Sequence, residues 1–446
     1  AQEDLGFSDD ARQWIVTAYA LAFGSLLLLG GRIGDIFGRK WTFIGGLIGF
    51  AVASAIGGAA GSFGVLVLAR TLQGVFGAML APSALGLLST TFSDSAERGK
   101  AFGIFGAIAG GGAAVGLLLG GILTEALSWR WCLYVNLLIA IPTAIMAFRY
   151  VVNQANPDRP PLDLPGTVLA STGLFALVFG FSNSETHSWG HPVTIIMLVA
   201  AVVLLTAFVL VEKRVQHPLL PLRVVADRTR GGSYLAIGIS GIALFAVFLF
   251  LTYFLQQTKG FSPIQTGLAF LPMTGAIVVT AALVNTRFLP RIGPRPLLVL
   301  GMSLGAVAMA WLAQISPDSS YAGHIMPALI VLGVGMGNIF APAIASATYG
   351  VDPRDTGVAS AMVNTMQQVG GSIGTALLSS IFASSAASFA EGKTPTPQLA
   401  ADAAVHGYTV AFWIAAGVFA AGAVIVGVTM RSIKVAQPAG EPVVAH

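Results

Sequence analysis

Charged residues are scarce in this sequence: Asp, Glu, Lys and Arg make up 9% of 446 residues, against about 25% in soluble domains. The single cysteine, Cys132, excludes an intrachain disulfide and a dithiol redox centre. The sequence has no His and Cys cluster with metal-ligand spacing, no phosphate-binding Gly-Lys-Ser/Thr motif and no catalytic cluster within its apolar runs. It therefore predicts neither a metal centre, nor ATP use, nor an enzyme or embedded receptor.

Long apolar runs are the dominant feature of the chain. Hydrophobic residues make up 55% of it, and the mean hydropathy is +0.80. The runs recur at about 20 residues, the length of a helix that crosses a bilayer. Many of the 54 glycines are spread through them, which suits close helix packing in lipid. The sequence therefore predicts an all-α polytopic membrane protein with thirteen spans, at residues 12–30, 41–60, 64–90, 101–124, 131–149, 166–184, 191–211, 233–256, 264–286, 296–314, 324–346, 357–384 and 407–430.

The basic residues predict the orientation. Eighteen of the 23 Lys and Arg residues fall in loops on one side and Arg70 falls inside a span, whereas the other side holds Arg12, Arg130, Lys259 and Lys393. Cations accumulate in cytoplasmic loops, so the net charge of +4 reflects topology rather than nucleic-acid binding. We expect a plasma (inner) membrane protein with a cytoplasmic C-terminus. This orientation places the first residue outside the cell, so we expect one further span upstream, fourteen in all. A processed thirteen-span chain is the alternative.

Two stretches in the sequence echo each other. GGRIGDIFGRK (30–40) and RFLPRIGPR (287–295) each place an arginine six residues before a glycine, Arg32 before Gly38 and Arg287 before Gly293. We expect Gly31, Gly34 and Gly38 to form a tight cytoplasmic loop. Asp35 has no counterpart in the second stretch, where Pro290 stands in its place. The echo predicts two related halves of six spans each.

Several motifs resemble those of the major facilitator superfamily, in particular its fourteen-helix drug:proton antiporter group. They are GGRIGDIFGRK, LARTLQGVFGAMLAPSAL (68–85), GAIAGGGAAVGLLLGG (106–121), SWRWCLYVN (128–136) and GFSPIQTGLAFLP (260–272). One position departs from the antiporter motif: Leu117 stands where the family has proline. The resemblance implies an N-terminal bundle at 1–150 that lacks its first helix, a linker and two-helix insert at 151–230, and a C-terminal bundle with a short tail at 231–446.

The resemblance also implies a proton-coupled exporter of hydrophobic or cationic compounds that works by alternating access. A dedicated exporter or facilitator of one metabolite, such as an antibiotic, peptide or siderophore, is the alternative. No cofactor is expected beyond a proton gradient, and the expected partners are the bilayer and a small amphipathic substrate. We expect a monomer.

Arg70 is the sharpest candidate site residue, because a cation at membrane depth is costly. It shares a helix face with Gln73, Gly74 and Gly77, so we expect it to point into the bundle; snorkelling to the outer interface is the alternative. The resemblance associates this arginine with proton coupling. Arginine cannot release a proton, so a carboxylate partner is needed, and we expect that carboxylate on the upstream helix.

Two further sets of candidates complete the predicted site. The resemblance implies a gate between the halves, made of Gly31, Asp35, Gly38, Arg39 and Arg98, in which Asp35 attracts Arg39, Arg98 or a helix N-terminus. It also implies a packing or sliding surface with Gly116, Gly120 and Gly121. Each polar residue at depth could form a helix-to-helix hydrogen bond or contact substrate. As a set, on spans that face the cavity in the resembling fold, they imply a neutral cavity lining, which suits amphipathic solutes. These residues are Tyr19, Gln73, Tyr253, Gln256, Gln257, Asn338, Asn364 and Gln367.

Overall fold

The computed structural model of the chain describes residues 2–7, 11, 14–92, 95–153, 161–394 and 396–431. The regular structure in these residues is helical throughout, with no strand. We number its thirteen long helices α1 Trp14–Phe37, α2 Arg39–Gly58, α3 Phe63–Thr91, α4 Ser95–Ala126, α5 Trp131–Tyr150, α6 Leu164–Thr186, α7 Pro192–Glu212, α8 Arg228–Thr258, α9 Pro263–Ile292, α10 Pro294–Leu312, α11 Tyr321–Thr348, α12 Thr356–Ala390 and α13 Pro397–Thr429. Helices α8, α9 and α11 include π-helical turns, and a short helix, Leu222–Ala226, precedes α8.

Each predicted span overlaps one of these helices, which confirms the all-α fold class. Within the described residues, twelve of the thirteen are long and apolar enough to cross a membrane, and α4 is the exception. The number of membrane crossings therefore stays a prediction. The largest difference in bounds is at α13, which begins at Pro397 rather than at residue 407 because Thr396 caps it with a side-chain hydrogen bond to the N–H of Leu399.

The turn between α1 and α2 differs from the predicted glycine-rich loop. Helix α1 continues through Gly31 and Gly34 to Phe37, and α2 begins at Arg39. Gly38 alone makes the turn, with a φ of 98° that favours glycine. Gly293 makes the corresponding turn between α9 and α10, with a φ of 76°. The two stretches of the predicted repeat thus share a one-residue turn.

The two halves of the chain meet along two seams. Helix α1 packs against α12 on one seam, and α4 packs against α9 and α11 on the other. Helices α6 and α7, the predicted insert, pack against each other, and α6 also packs against α1 and α12. The insert therefore covers the first seam. Oγ of Ser182 in α6 lies 3.3 Å from Oγ1 of Thr17 in α1, and Nε1 of Trp189 donates to Oγ of Ser380 in α12 at 2.7 Å.

Loops at the two ends of the bundle differ in charge. We call the end that holds Gly38, Gly293 and the α7–α8 connection the basic end, because most Lys and Arg residues lie in its loops. The other end, which holds the α2–α3 and α4–α5 connections, is called the opposite end. There Arg130 donates to the carbonyl oxygens of Gly58 and Ala60 at 3.0 and 2.6 Å and so ties these two connections together.

Candidate functional site

Asp35 lies in the last turn of α1, and residues from both halves of the chain hold its carboxylate. Its Oδ1 accepts hydrogen bonds from the N–H of Gly357 at 2.9 Å and from Nη2 of Arg39 at 2.8 Å. Its Oδ2 accepts from the N–H of Val358 at 3.2 Å. These N–H groups belong to the first turn of α12. The N–H groups of a helix's first turn have no acceptor within the helix, and the helix dipole favours a negative charge beside them. We call Asp35, Arg39, Gly357 and Val358 the Asp35 cluster.

Helices α1 and α12 touch backbone to backbone beside this cluster. A Cβ atom added at Gly31 would lie 2.6 Å from the carbonyl oxygen of Gly357, and one added at Gly357 would lie 2.5 Å from the carbonyl oxygen of Gly31. Cβ atoms essentially never approach other atoms so closely. The pair of glycines therefore lets the Asp35 carboxylate reach the end of α12, and the first seam is closed at the basic end.

The charges of this region are buried and unequal in number. Arg32, Asp35 and Arg39 are each only 5–6% exposed, so two guanidinium groups surround one carboxylate. Nε of Arg32 has no hydrogen-bond partner in the described residues. A buried ion pair of this kind gains little net free energy, because desolvation offsets most of the attraction. The contact is thus well ordered and still weak enough to open.

Sequence analysis offers a helix N-terminus as a partner of Asp35 but does not identify it as that of α12, with Gly357 and Val358. The available signal was the helix start at 352–357, DPRDTG, in which Asp352 accepts a hydrogen bond from the N–H of Arg354 at 2.9 Å. Nothing local in the sequence indicates that this helix end lies beside α1. Arg98, the other predicted partner, has a side chain outside the described part of the structure.

The glycines of α4 do not pack as predicted. In the described residues, a Cβ atom added at Gly116 or Gly120 would meet nothing within 4 Å, and one added at Gly121 would lie 3.8 Å from Pro263 and 3.9 Å from Ile264, which is ordinary contact. Of the described glycines of this helix, Gly106 packs most closely, with an added Cβ 3.3 Å from Cα of Ala341 in α11. Gly116 and Gly120 make no close contact with described residues in this conformation, and their part in a sliding surface stays a prediction.

Arg70 of α3 points into the N-terminal half of the chain. Its Nε donates to the carbonyl oxygen of Ile15 at 2.9 Å, and its Nη1 donates to Oε1 of Gln73 at 2.8 Å. Its guanidinium carbon lies 4.6 Å from the ring centre of Tyr19, a cation–π distance. Nε2 of Gln73 in turn donates to Oγ of Ser54 at 2.7 Å. Arg70 and Gln73 thus join α1, α2 and α3, and Arg70 binds the first turn of α1, which begins at the opposite end.

The residues predicted to line a cavity fall into two groups. Gln73 and Asn338 are 1% and 5% exposed, so in this conformation they are packed between helices, and their assignment to the cavity stays a prediction. Gln73 holds Arg70, and Asn338 donates to the carbonyl oxygen of Val334 one turn earlier. The remaining predicted lining residues are partly or fully exposed, namely Tyr19, Tyr253, Gln256, Gln257, Asn364 and Gln367.

Two helical halves that close against each other at one end, with an arginine held inside one half, define a polytopic membrane transporter. The sequence profile of the Major Facilitator Superfamily matches residues 1–375. The chain belongs to this family.

Curated relatives cover most of the chain. It is 50% identical over 434 residues to "Puromycin resistance protein pur8" of Streptomyces alboniger, a match that covers 97% of this chain and 86% of that protein. It is 39% identical over 381 residues to "Cephamycin export protein CmcT" of Amycolatopsis lactamdurans, covering 84% and 78%. Among solved structures, the human organic anion transporter MFSD10 (TETRAN) has the same fold, with a TM-score of 0.61, 15% identity and coverage of 93% and 83%.

Proposed function

We propose that the protein is a proton-coupled exporter of hydrophobic or cationic drug-like compounds in the plasma membrane. The 50% identity to a puromycin resistance protein over 97% of the chain carries this proposal. The relatives named for cephamycin export and for "Tetracenomycin C resistance and export" support the same direction of transport. The neutral polar residues predicted for the cavity suit amphipathic compounds better than multiply charged ones.

Alternating access explains why the Asp35 cluster lies where it does. The cluster closes the basic end, which we expect to face the cytoplasm. A substrate that enters from the cytoplasm must first separate α1 from α12, and this movement breaks the two backbone hydrogen bonds to Asp35. Because the bonds form again on closure, Asp35 acts as a reversible gate residue. It influences the rate of cycling more than the affinity for substrate.

Arg70 acts in proton coupling by position rather than by titration. Its guanidinium stays charged at every pH that cells experience, so it cannot carry the transported proton. A fixed cation stabilises a nearby carboxylate and lowers its proton affinity. Its hydrogen bond to the carbonyl oxygen of Ile15 anchors the first turn of α1. Arg70 therefore connects the protonation state of a nearby carboxyl group with helix α1, whose last turn carries Asp35.

A dedicated exporter of one antibiotic is the second candidate. The printed names of several relatives, including the lincomycin resistance protein of Streptomyces lincolnensis, each specify a single compound. Such a protein would share the fold and the gate and would differ only in the breadth of its substrates. Competition between compounds for transport separates the two candidates.

The test uses the full-length protein in a bacterial strain that lacks its main efflux pumps. Susceptibility is measured for puromycin and for a panel of cationic dyes and unrelated antibiotics, and dye uptake is followed in inverted membrane vesicles with an imposed pH gradient. We expect resistance to several compounds and uptake that a protonophore abolishes. Resistance to one compound only favours the dedicated exporter. Unchanged susceptibility and uptake across the whole panel would contradict both candidates.

A further inference from the structure

Two buried carboxyl groups meet at the basic end of the insert, where α6 begins and α7 ends. Asp163 precedes α6 and caps it, because its Oδ1 accepts a hydrogen bond from the N–H of Gly166 at 2.9 Å. Glu212 is the last residue of α7, and its two oxygens accept from the N–H groups of Leu219 and Leu220 at 3.2 and 3.1 Å. The two acidic residues are 5% and 4% exposed.

The second oxygen of Asp163 faces Glu212. A Cβ atom added at Gly166 would overlap Oδ2 of Asp163 and would lie 2.6 Å from Oε1 of Glu212. Oδ2 of Asp163 and Oε1 of Glu212 therefore face the same point beside Gly166. Oδ2 of Asp163 is buried, and no N–H or O–H group in the described residues donates to it. Among the described residues, the polar group beside it is another acceptor, unless one of the two carboxyl groups carries a proton.

Cations on the surrounding segments do not neutralise this pair in the described residues. Lys213, Arg214 and His217 follow Glu212 and are exposed. Arg223 forms an ion pair with Asp355 at 2.6 Å, Arg230 lies beside Asp227, and Arg39 of α1 holds Asp35. Two adjacent buried anions without a cation repel each other strongly, and carboxyl groups in this situation share a proton.

We propose that Asp163 and Glu212 share one proton at neutral pH and that this proton fastens the insert to the segment leading to the Asp35 cluster. The shared proton lies between Oδ2 of Asp163 and Oε1 of Glu212. It satisfies the buried oxygen and removes one of two negative charges. The site is a proton-binding site, and it exists whether or not protons drive transport.

The segment that Glu212 holds continues to the gate. Leu219 and Leu220 lead directly into the helix Leu222–Ala226, whose Arg223 donates to Oδ2 of Asp355 at 2.6 Å. Asp355 is the residue before α12, and the first turn of α12 binds Asp35. When the proton leaves, two carboxylates repel each other across the start of α6 and the end of α7. The hydrogen bonds from Leu219 and Leu220 to Glu212 then weaken, and Arg223 is positioned less firmly.

Asp163→Asn is the isosteric test of the shared proton. The Asn side chain keeps Oδ1 as the cap of α6, and its Nδ2 donates to Oε1 of Glu212 as the proton does. We expect the thermal midpoint of the purified wild-type protein to fall as the pH rises from about 6 to about 9, because the folded state holds a proton that the unfolded carboxyl groups release. The midpoint of Asp163→Asn should stay nearly constant over the same range. Parallel profiles for the two proteins would overturn the proposal.

Infrared spectroscopy provides a readout that does not depend on transport, and its first measurement uses the wild-type protein alone. The wild-type protein at neutral pH should show the carbonyl band of a protonated carboxyl group, and this band should bleach as the pH rises. Asp163→Asn and Glu212→Gln should each lack it, whereas Asp318→Asn, at an exposed site at the opposite end, should retain it. Absence of a bleaching band from the wild-type protein contradicts the shared proton.

Discussion

Asp35 in the first half of the chain accepts a hydrogen bond at 2.9 Å from the backbone N–H of Gly357, which lies 322 residues further along. One carboxylate thereby joins the end of α1 to the start of α12 across the seam between the halves. The second stretch of the repeat has Pro290 at the corresponding position, so it repeats the turn but not the carboxylate. The two stretches therefore differ at the basic end, and Asp35 holds the first seam there.

Asp35→Asn should slow the transport cycle without weakening substrate binding. The amide retains one acceptor oxygen, so it keeps one of the two N–H bonds to α12 and loses the ion pair with Arg39. Hydrogen bonds to a charged group contribute about 1.5–3 kcal/mol each, and the closed state should lose a comparable amount. The checks are transport rates in proteoliposomes and the dissociation constant of a fluorescent substrate.

Asp318→Asn serves as the matched control for this variant, since Asp318 is exposed in the α10–α11 loop at the opposite end. It should transport at the wild-type rate. A weaker substrate affinity for Asp35→Asn together with an unchanged maximal rate would refute the assignment of Asp35 to the gate.

Gly357→Ala should hold the basic end open. The added Cβ would lie 2.5 Å from the carbonyl oxygen of Gly31 and 2.6 Å from Oδ1 of Asp35. Overpacking of this kind costs about 1–3 kcal/mol, and separation of α1 from α12 relieves it. Opening is measured by maleimide labelling of a cysteine introduced by Ser83→Cys in a Cys132→Ser background, because Ser83 is 1% exposed near Gly34. Labelling should become faster.

Gly45→Ala is the control for the glycine variant, because a Cβ added there meets nothing within 4 Å in the described residues. Its labelling rate should equal that of the parent protein. Equal rates for Gly357→Ala and Gly45→Ala would mean that the close contact between Gly31 and Gly357 does not control closure.

Local patterns in the sequence predict much of this fold and only part of its site. Apolar runs locate thirteen helices because a helix in lipid must be apolar over its length, and Gly38 and Gly293 are found as turns. Gly31 belongs to a helix rather than to a loop, since its small size serves contact with α12 instead of chain reversal. The partner of Asp35 and the pairing of Asp163 with Glu212 depend on tertiary packing between distant segments, which no local pattern encodes.

Gly38→Ala should destabilise the α1–α2 turn. The φ of 98° at this position is unfavourable for a residue with a Cβ atom, by about 1–2 kcal/mol, and the Cβ would also overlap the side chain of Asn153. Thermal unfolding of the purified protein should shift to lower temperature. Gly45→Ala, in the interior of α2, should be neutral or stabilise by about 0.5–1 kcal/mol. Equal midpoints for Gly38→Ala and the wild-type protein would show that the turn accommodates alanine by changing its backbone.

Arg70→Ala should abolish transport while expression and the size-exclusion profile stay normal. The substitution removes the hydrogen bonds to Ile15 and Gln73 together with the contact to Tyr19.

Arg70→Lys keeps the charge but lacks the planar fork that makes both hydrogen bonds. Its transport rate should therefore fall by about tenfold or more, a barrier increase of about 1.4 kcal/mol. Thr71→Ala is the matched control, because among the described residues the hydroxyl of Thr71 donates to the carbonyl oxygen of Val67 in its own helix, at 3.0 Å. Normal transport by Arg70→Ala would show that this arginine is not needed for coupling. Loss of transport in Arg70→Ala and in Thr71→Ala alike would instead indicate a general defect of α3.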